Sequence, residues 1–419
     1  MLIIFVMGYL AIALEHPLKL NKAASALITG VLCWMVFFLH NDNPERSGEL
    51  LLHHLGEIAS ILFFLLGAMA IVELIDTHSG FDLITDHITT RSKGTLLVVI
   101  SVLTFFLSAL LDNLTTAIVM VSLCGKLLAD KEDRLWFAGM IVIAANAGGA
   151  WSPLGDVTTT MLWIGGQISA LHIVNSLLLP AMAVCIFPAM IMAYRFRGKK
   201  ITASIRALCT PQEKREGRMI LVAGIGFLIF VPLFKTVTHL PPFMGMLLAL
   251  GLMWVLTTII HRDKPVEKIE KLSVSRALQK IDAPSILFFL GILLAVSALD
   301  SQGILKIFAH YLDVHLKNEY LIGGSLGLLS SLVDNVPLVS ASQGMYDLAA
   351  YPADHDFWTF LALSTGIGGS VIIIGSAAGV AVMGIERIPF LWYLKKISWL
   401  ALLGFIAGAG VFLLQKLAG

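Results

Sequence analysis

Leu107 to Leu114 reads L-S-A-L-L-D-N-L, and Leu329 to Val336 reads L-S-S-L-V-D-N-V. Each places an Asp-Asn pair inside an apolar run, and the flanks match as well. Upstream, Ser60 to Gly80 (SILFFLLGAMAIVELIDTHSG) is echoed by Ser285 to Gly303 (SILFFLGILLAVSALDSQG). Downstream, N-A-G-G at Asn146 to Gly149 is echoed by G-I-G-G at Gly366 to Gly369. The offsets drift only from 225 to 222 to 220 residues, so one half of the chain is a duplicate of the other. Apolar segments interrupted at corresponding places in two halves point to a secondary transporter whose site lies where the interruptions meet.

The composition fits a membrane. The chain is 57% hydrophobic and 14% charged with a mean hydropathy of +0.86, against about 25% charged residues in soluble domains. Apolar runs of spanning length recur at 23–39, 58–75, 173–194, 219–235, 243–261 and 390–414. Met1 to Leu14 lacks the positive flank of a cleaved signal and has a counterpart at Gly226 (GFLIFVPLF), so it reads as a retained, short first span. The four cysteines (Cys33, Cys124, Cys185, Cys209) show neither CxxC nor a pairing pattern, which indicates packing rather than a disulfide or zinc.

The expected fold is an all-α polytopic membrane protein of two inverted-topology repeats. Each repeat has five spans, one of them a broken helix, plus one re-entrant helical hairpin. The first repeat covers 1–194, with its hairpin near 95–122 and its broken helix at 136–163. A cytoplasmic linker follows at 195–218. The second, inverted repeat covers 219–419, with its hairpin near 321–346 and its broken helix at 357–384. Five crossings is an odd number, which forces the inversion.

Charge tests that arrangement. One face receives 15–22, 76–94, 123–134, 195–218, 261–283 and 385–396, which carry 24 of the 29 Lys and Arg residues. Asp347 to Asp356, on the opposite face, has three Asp and no Lys or Arg. The positive-inside rule then sets the N-terminus outside and 195–218 in the cytoplasm. Basic residues in that linker are topology determinants, not a nucleic-acid patch.

Four breaks interrupt the apolar sequence: 112–116, 146–159, 330–337 and 364–376. They hold carboxylates, amides, hydroxyls and freed carbonyls, which are ligands for hard cations. Asp112, Asp156 and Asp334 lie within them, without Lys or Arg. A carboxylate at membrane depth costs about 2.5–3.5 kcal/mol unless paired or protonated. A site that takes either a metal cation or protons exchanges them by competition. Asp156 has only Ser376 opposite it in the repeat, so the site is expected to be asymmetric. Gly148, Gly149, Gly368 and Gly369 read as close-approach positions. Glu57 and Asp282, at matching positions, read as interfacial caps, and Glu73, His53, His54, His78 and His87 as solvated span ends.

D-N-L-T-T after the S-x-L-L run, with N-A-G-G-A-W-S-P-x-G-D-V-T-T, resembles the NhaD-type sodium/proton antiporters of the ion transporter superfamily. The resemblance runs from H-P-L-K-L-N-K at His16 to the interruption at Ser364. It implies an inner-membrane exchanger of Na+ or Li+ for H+, needing no cofactor, homodimeric, embedded in the lipid bilayer, with a mobile domain moving like an elevator against a scaffold. Carried over by position, Asp112, Asn113, Thr115 and Thr116 form the first tip. Asn146, Asp156, Thr158 and Thr159 lie in the first broken helix. Ser330, Asp334 and Asn335 form the second tip, and Ser364, Thr365 and Ser370 lie in the second broken helix. Asp112 and Asp156 would carry the protons and, with Asn113 and Asn146, hold Na+. An extra N-terminal helix of longer relatives is expected to be absent.

Rival readings are a proton-coupled carrier of an oxyanion, arsenite or a metal–citrate complex, a channel built on the same oxygens, and an intramembrane aspartyl protease. The last is prompted by Pro153-Leu154-Gly155-Asp156 and Tyr346-Asp347, but the first Gly of its G-x-G-D signature is Pro here, and Y-D follows instead of preceding.

Overall fold

Polar residues punctuate the apolar runs, and each run becomes a helix that starts where the punctuation falls. The computed structural model describes residues 1–13, 20–41, 43–81, 90, 92–200, 211–262, 264–332 and 334–418. The start of the 16–22 motif, His87 and Cys209 lie outside them.

The first half forms α1 (Leu2–Ala13), α2 (Lys22–Leu39), α3 (Pro44–Thr77), α4 (Lys93–Leu111), α5 (Asn113–Leu127), α6 (Lys131–Ala150), α7 (Val157–Ile164) and α8 (Ala170–Arg195). From α2 to α8, each begins on an Asn, Ser or Asp whose side chain accepts a hydrogen bond from a first-turn N–H. Such caps satisfy donors that the helix leaves open and are worth about 1 kcal/mol each. The second half forms α9 (Pro211–Thr238), α10 (Pro242–His261), α11 (Val266–Leu272), α12 (Val274–Lys280), α13 (Ala283–Ser301), α14 (Ile304–Leu316), α15 (Glu319–Leu329) and α16 (Asn335–Met345). It continues through α17 (Asp356–Gly368), a 3-10 turn at Ile373–Gly375, α18 (Ala377–Glu386), α19 (Phe390–Lys396) and α20 (Ser398–Ala418). Among the described residues there is no strand, only an isolated bridge between Ser92 and Lys200.

Eight described helices are long and apolar enough to cross a membrane: α2, α3, α4, α8, α9, α10, α13 and α20. Their outer faces carry exposed Ile28, Val31, Leu179, Met190, Val222, Ile229, Val255 and Ile406. A belt of large apolar side chains faces outward, the reverse of a water-soluble surface.

Without water to drive apolar surfaces together, close packing holds membrane helices. α2 lies on α13, where a Cβ on Gly30 or on Gly291 would collide with the opposing backbone. Trp34 Nε1 donates to Ser297 Oγ across this contact at 3.3 Å. In a matching arrangement α10 lies on α3, with Gly67 against Met246. The third span of each half thus rests on the second span of the other.

Several expectations needed revision. The run 390–414 is not one helix: α19 stops at Lys396, is bent 115° from α18, and α20 begins afresh at Ser398. Pro389 starts α19, and the basic Lys395 and Lys396 lie in its last turn. The span 58–75 is the latter part of a 34-residue helix, α3. Glu57 therefore sits inside α3 and caps nothing. Asp282 does cap α13, accepting from Ser285 N at 3.3 Å and from Ser285 Oγ at 2.5 Å. His78 is not solvated either; it is buried against His261, with Nε2 to Nε2 at 3.0 Å and the rings stacked. α1 has 12 residues, fewer than an unaided span needs.

Candidate functional site

The interruptions are where the helices break. α4 and α5 pack on each other and are separated by Asp112 alone; α15 and α16 are separated at Ser330–Asp334. α6 stops at Ala150 and α7 starts after Asp156, while α17 stops at Gly368 and α18 starts after Ser376. Glycines let these pieces touch. A Cβ on Gly148 would collide with the Phe105 carbonyl of α4, and one on Gly368 with the Gly327 carbonyl of α15. Side chains repeat the pattern: Ser108 Oγ donates to the Ala145 carbonyl at 2.6 Å, and Ser330 Oγ to the Thr365 carbonyl at 2.8 Å. Equivalent residues of the two halves therefore make equivalent backbone contacts.

Asp112, Asp156, Asp334 and Ser376 are the N-caps of α5, α7, α16 and α18. A chain of hydrogen bonds joins these four helix starts. Asn113 Nδ2 donates to Asn146 Oδ1 at 3.0 Å and to Asp156 Oδ2 at 3.1 Å. From the other half, Asn335 Nδ2 donates to both Asp156 oxygens, at 3.3 and 3.2 Å. Asn146 Nδ2 donates onward to Ser370 Oγ at 2.8 Å and Ser376 Oγ at 3.0 Å. Asp156 is 2% exposed, Asn146 is fully buried, and no ion pair reaches Asp156 among the described residues.

Asp112 takes an unusual backbone conformation, φ 77° and ψ 155°, a region that glycine favours and that costs other residues about 1–3 kcal/mol. Its carboxylate holds the turn by accepting from Thr115 N and Thr115 Oγ1, both at 2.8 Å. Asp334 has ordinary dihedrals and accepts from Val336 N at 3.2 Å. Asp112 and Asp334 both lie within electrostatic reach of Asp156. The buried hydroxyls of Thr116 and Thr158 have no partner of hydrogen-bonding geometry among the described residues.

Asn113, Asn146, Asp156, Asn335 and Ser370, expected from sequence, thus belong to one connected cluster, with Asp112, Thr115, Thr116 and Thr158 at its edge. Four others are spent on backbone. Thr159 Oγ1 donates to the Ser152 and Asp156 carbonyls, at 2.9 and 2.8 Å. Ser364 Oγ donates to the Gly323 carbonyl at 2.8 Å and Thr365 Oγ1 to the Leu361 carbonyl at 2.7 Å; Ser330 is engaged as described above. These four hydroxyls secure the breaks by donating to backbone carbonyls. Ser376 is a member that the expected set omitted, although the repeat places it opposite Asp156. Lys22, at the start of α2, lies within electrostatic reach of Asp334, as does Tyr9 of α1. The absence of basic residues from the breaks themselves hid this contribution.

Two cavities approach the cluster. One of about 240 Å³ is lined by Lys22, Asp282, Leu114 and Ala377, the last two adjacent in sequence to Asn113 and Ser376. Another of about 650 Å³ runs along α3, α7, α13 and α16, from His53 and Glu57 to Met161 and Ser340.

Broken helices meeting at a buried polar cluster, inside a bundle with an apolar exterior, define a multi-pass membrane transporter. A family profile described as "Citrate transporter" matches residues 2–368. The chain is 47% identical over 415 residues to Sodium/proton antiporter 1 of Arabidopsis thaliana, covering 99% of this chain and 72% of that one. It is 45% identical over 416 residues to Sodium/proton antiporter 2 of the same plant, covering 99% and 98%. With the Na(+)/H(+) antiporter NhaD of Vibrio cholerae it shares 30% identity over 442 aligned residues, covering 99% and 91%. The chain belongs to the NhaD-type sodium/proton antiporter family. Its relatives are transporters and not enzymes, which removes the protease reading.

Proposed function

We propose that this protein exchanges Na+, or Li+, for H+ across a membrane, with Asp156 as the shared binding group and Asp112 as its partner. The observation that carries this is the Asp156 carboxylate: buried, held by amides from both halves, and without a cationic side chain on it. Such a group is stable when a small cation or a proton neutralises it. A half-turn of the Asn113 or Asn335 amide replaces its NH2 by its carbonyl oxygen. The side chains that donate to a bare carboxylate can then coordinate a hard cation beside it. Asn146 and the hydroxyls of Thr116 and Thr158 add oxygens. The ions are substrates, and no cofactor is called for.

In this reading the two halves are inverted copies, and α4–α5 and α15–α16 are re-entrant hairpins. The close contacts of Gly148 with Phe105 and of Gly368 with Gly327 support each hairpin moving together with its broken helix. Such a unit would travel past a scaffold of leading spans, as in an elevator, within a homodimer in the cytoplasmic membrane. The cavity at Lys22 would open to the cytoplasm and the cavity at His53 to the outside.

The family profile's description favours one second reading, a proton-coupled carrier of a metal–citrate complex. Against a free anion stands the fact that three of the four converging helix starts, where anions bind best, are capped by the chain's own carboxylates. One assay separates the readings. Proteoliposomes holding a proton gradient are challenged with Na+, Li+, K+ or citrate with a divalent metal. Na+ or Li+ should collapse the gradient with wild-type protein, and Asp156→Asn and Asp112→Asn should reduce the rate at least about 100-fold without loss of folded protein. Undiminished exchange in both variants, or a response to metal–citrate alone, would overturn the proposal.

A further inference from the structure

The 650 Å³ cavity carries at its rim a group of side chains unlike those of the buried cluster. His53, His54 and Glu57 occupy positions i, i+1 and i+4 of α3 and line the cavity together. His53 Nδ1 and His54 Nδ1 lie 3.9 and 3.3 Å from the same Glu57 oxygen, Oε2. One ligand atom from each of the three falls within 4.8 Å of the others. A tetrahedral cation with bonds of about 2.0–2.1 Å to nitrogen and oxygen sets its ligands roughly 3.3 Å apart, so small side-chain rotations close this group around one ion.

The surroundings suit a metal. His54 Nε2 is 3.2 Å from Ser301 Oγ of α13. With Nε2–H donating there, Ser301 orients the ring and leaves the Nδ1 lone pair facing the side of Glu57. Next to Ser301, the half-buried Asp300 lines the same cavity and its carboxylate makes no hydrogen bond or ion pair among the described residues. It lies within electrostatic reach of His54, Glu57 and Lys306. A carboxylate on the facing helix can serve as a fourth ligand or as a base for a metal-bound water.

We infer that His53, His54 and Glu57 form a binding site for a first-row divalent cation such as Zn2+, and that the bound ion obstructs this cavity. Imidazole nitrogens select such borderline metals over the hard Na+ and Li+, so the site is separate in chemistry from the oxygen cluster at Asp156. A divalent charge at the rim also repels monovalent cations that enter by this route.

Zn2+ binding to the purified full-length protein, followed by calorimetry at neutral pH, tests the site without reference to transport. Wild type should bind one ion per chain in the micromolar range. His53→Ala with His54→Ala should weaken this about tenfold or more, Glu57→Gln should weaken it in the same direction, and His315→Ala, at an exposed histidine elsewhere, should leave it unchanged. Equal binding by wild type and the double variant would overturn the site. In proteoliposomes, Zn2+ on the face bearing the start of α3 should slow wild-type cation exchange, reversibly by chelator, and spare the double variant. Tight binding that leaves the rate unaltered would overturn the obstruction. Because binding is read directly, failure of the exchange reading and failure of the metal site give different results.

Discussion

Asp112 is a residue in the wrong place for its own backbone. Its φ of 77° suits glycine, and two hydrogen bonds from Thr115 compensate. Strain kept at a helix tip beside the buried cluster marks a position held for its side chain. Asp112→Gly should therefore separate stability from activity. It relieves the backbone while losing the cap, so thermal stability should stay within about 1 kcal/mol of wild type, whereas cation-driven proton movement should fall to background. Melting curves and flux on the same preparation check this, and retained flux would show that Asp112 is a structural cap alone. Sequence exposed the carboxylates and amides readily, because a charge in an apolar run stands out. It did not expose the roles of Ser330, Ser364 and Thr365, since a hydroxyl in a broken helix bonds to a backbone carbonyl as easily as it faces a ligand. Lys22 and Tyr9 approach Asp334 from the far end of the chain, and no local pattern announces that.

Among elements, the joint between α3 and α10 depends on protonation. His78 Nδ1 lies 2.7 Å from the Leu74 carbonyl and His261 closes on its other nitrogen, so a single proton serves the His–His contact. Burial holds the pKa of His78 below the ordinary histidine value; the Leu74 carbonyl opposes this, nearby Lys264 reinforces it, and Glu216 opposes it. The unfolded chain therefore takes up a proton at a pH where the folded chain resists it. Stability from this contact is complete above about pH 6.5 and declines as pH falls through the window below it. Unfolding followed at pH 7.5 and 5.5 should show a Tm lower by roughly 1–2 °C at the acid end, and His78→Gln should flatten that difference. A pH-independent Tm in wild type would refute the coupling. The ends of α3 and α10 were legible as helix ends but not as partners, because a histidine at a span terminus looks solvated until the fold sets another histidine against it. The split at Ile397 was equally hidden: seven residues, Phe390 to Lys396, are apolar enough to extend the following span, yet they form a helix of their own.

At the scale of the molecule, the uneven distribution of Lys and Arg was the most informative property of the sequence, because it depends on summed loop charge and not on any single contact. It yields an orientation that cysteine labelling can check. Cys33, Cys124 and Cys185 are buried and free, so they should react poorly. With Cys209 replaced by Ser, Ala353→Cys should react with an impermeant maleimide from outside intact cells, and Lys268→Cys only after the cytoplasmic face is opened. Both reacting from one face would overturn the inverted arrangement. Sequence could not foretell the crossing of α2 on α13, since Gly30 and Gly291 resemble any glycine in an apolar run until two backbones meet there.

α2 and α3 differ greatly in length for neighbours in the chain, 18 residues against 34. At 1.5 Å per residue they reach about 27 and 51 Å, on either side of a hydrocarbon layer about 30 Å thick. The shorter helix nearly matches that layer and leaves little length for tilt. The longer one exceeds it by about 21 Å, some four turns, a surplus that tilt or projection beyond the oil must absorb.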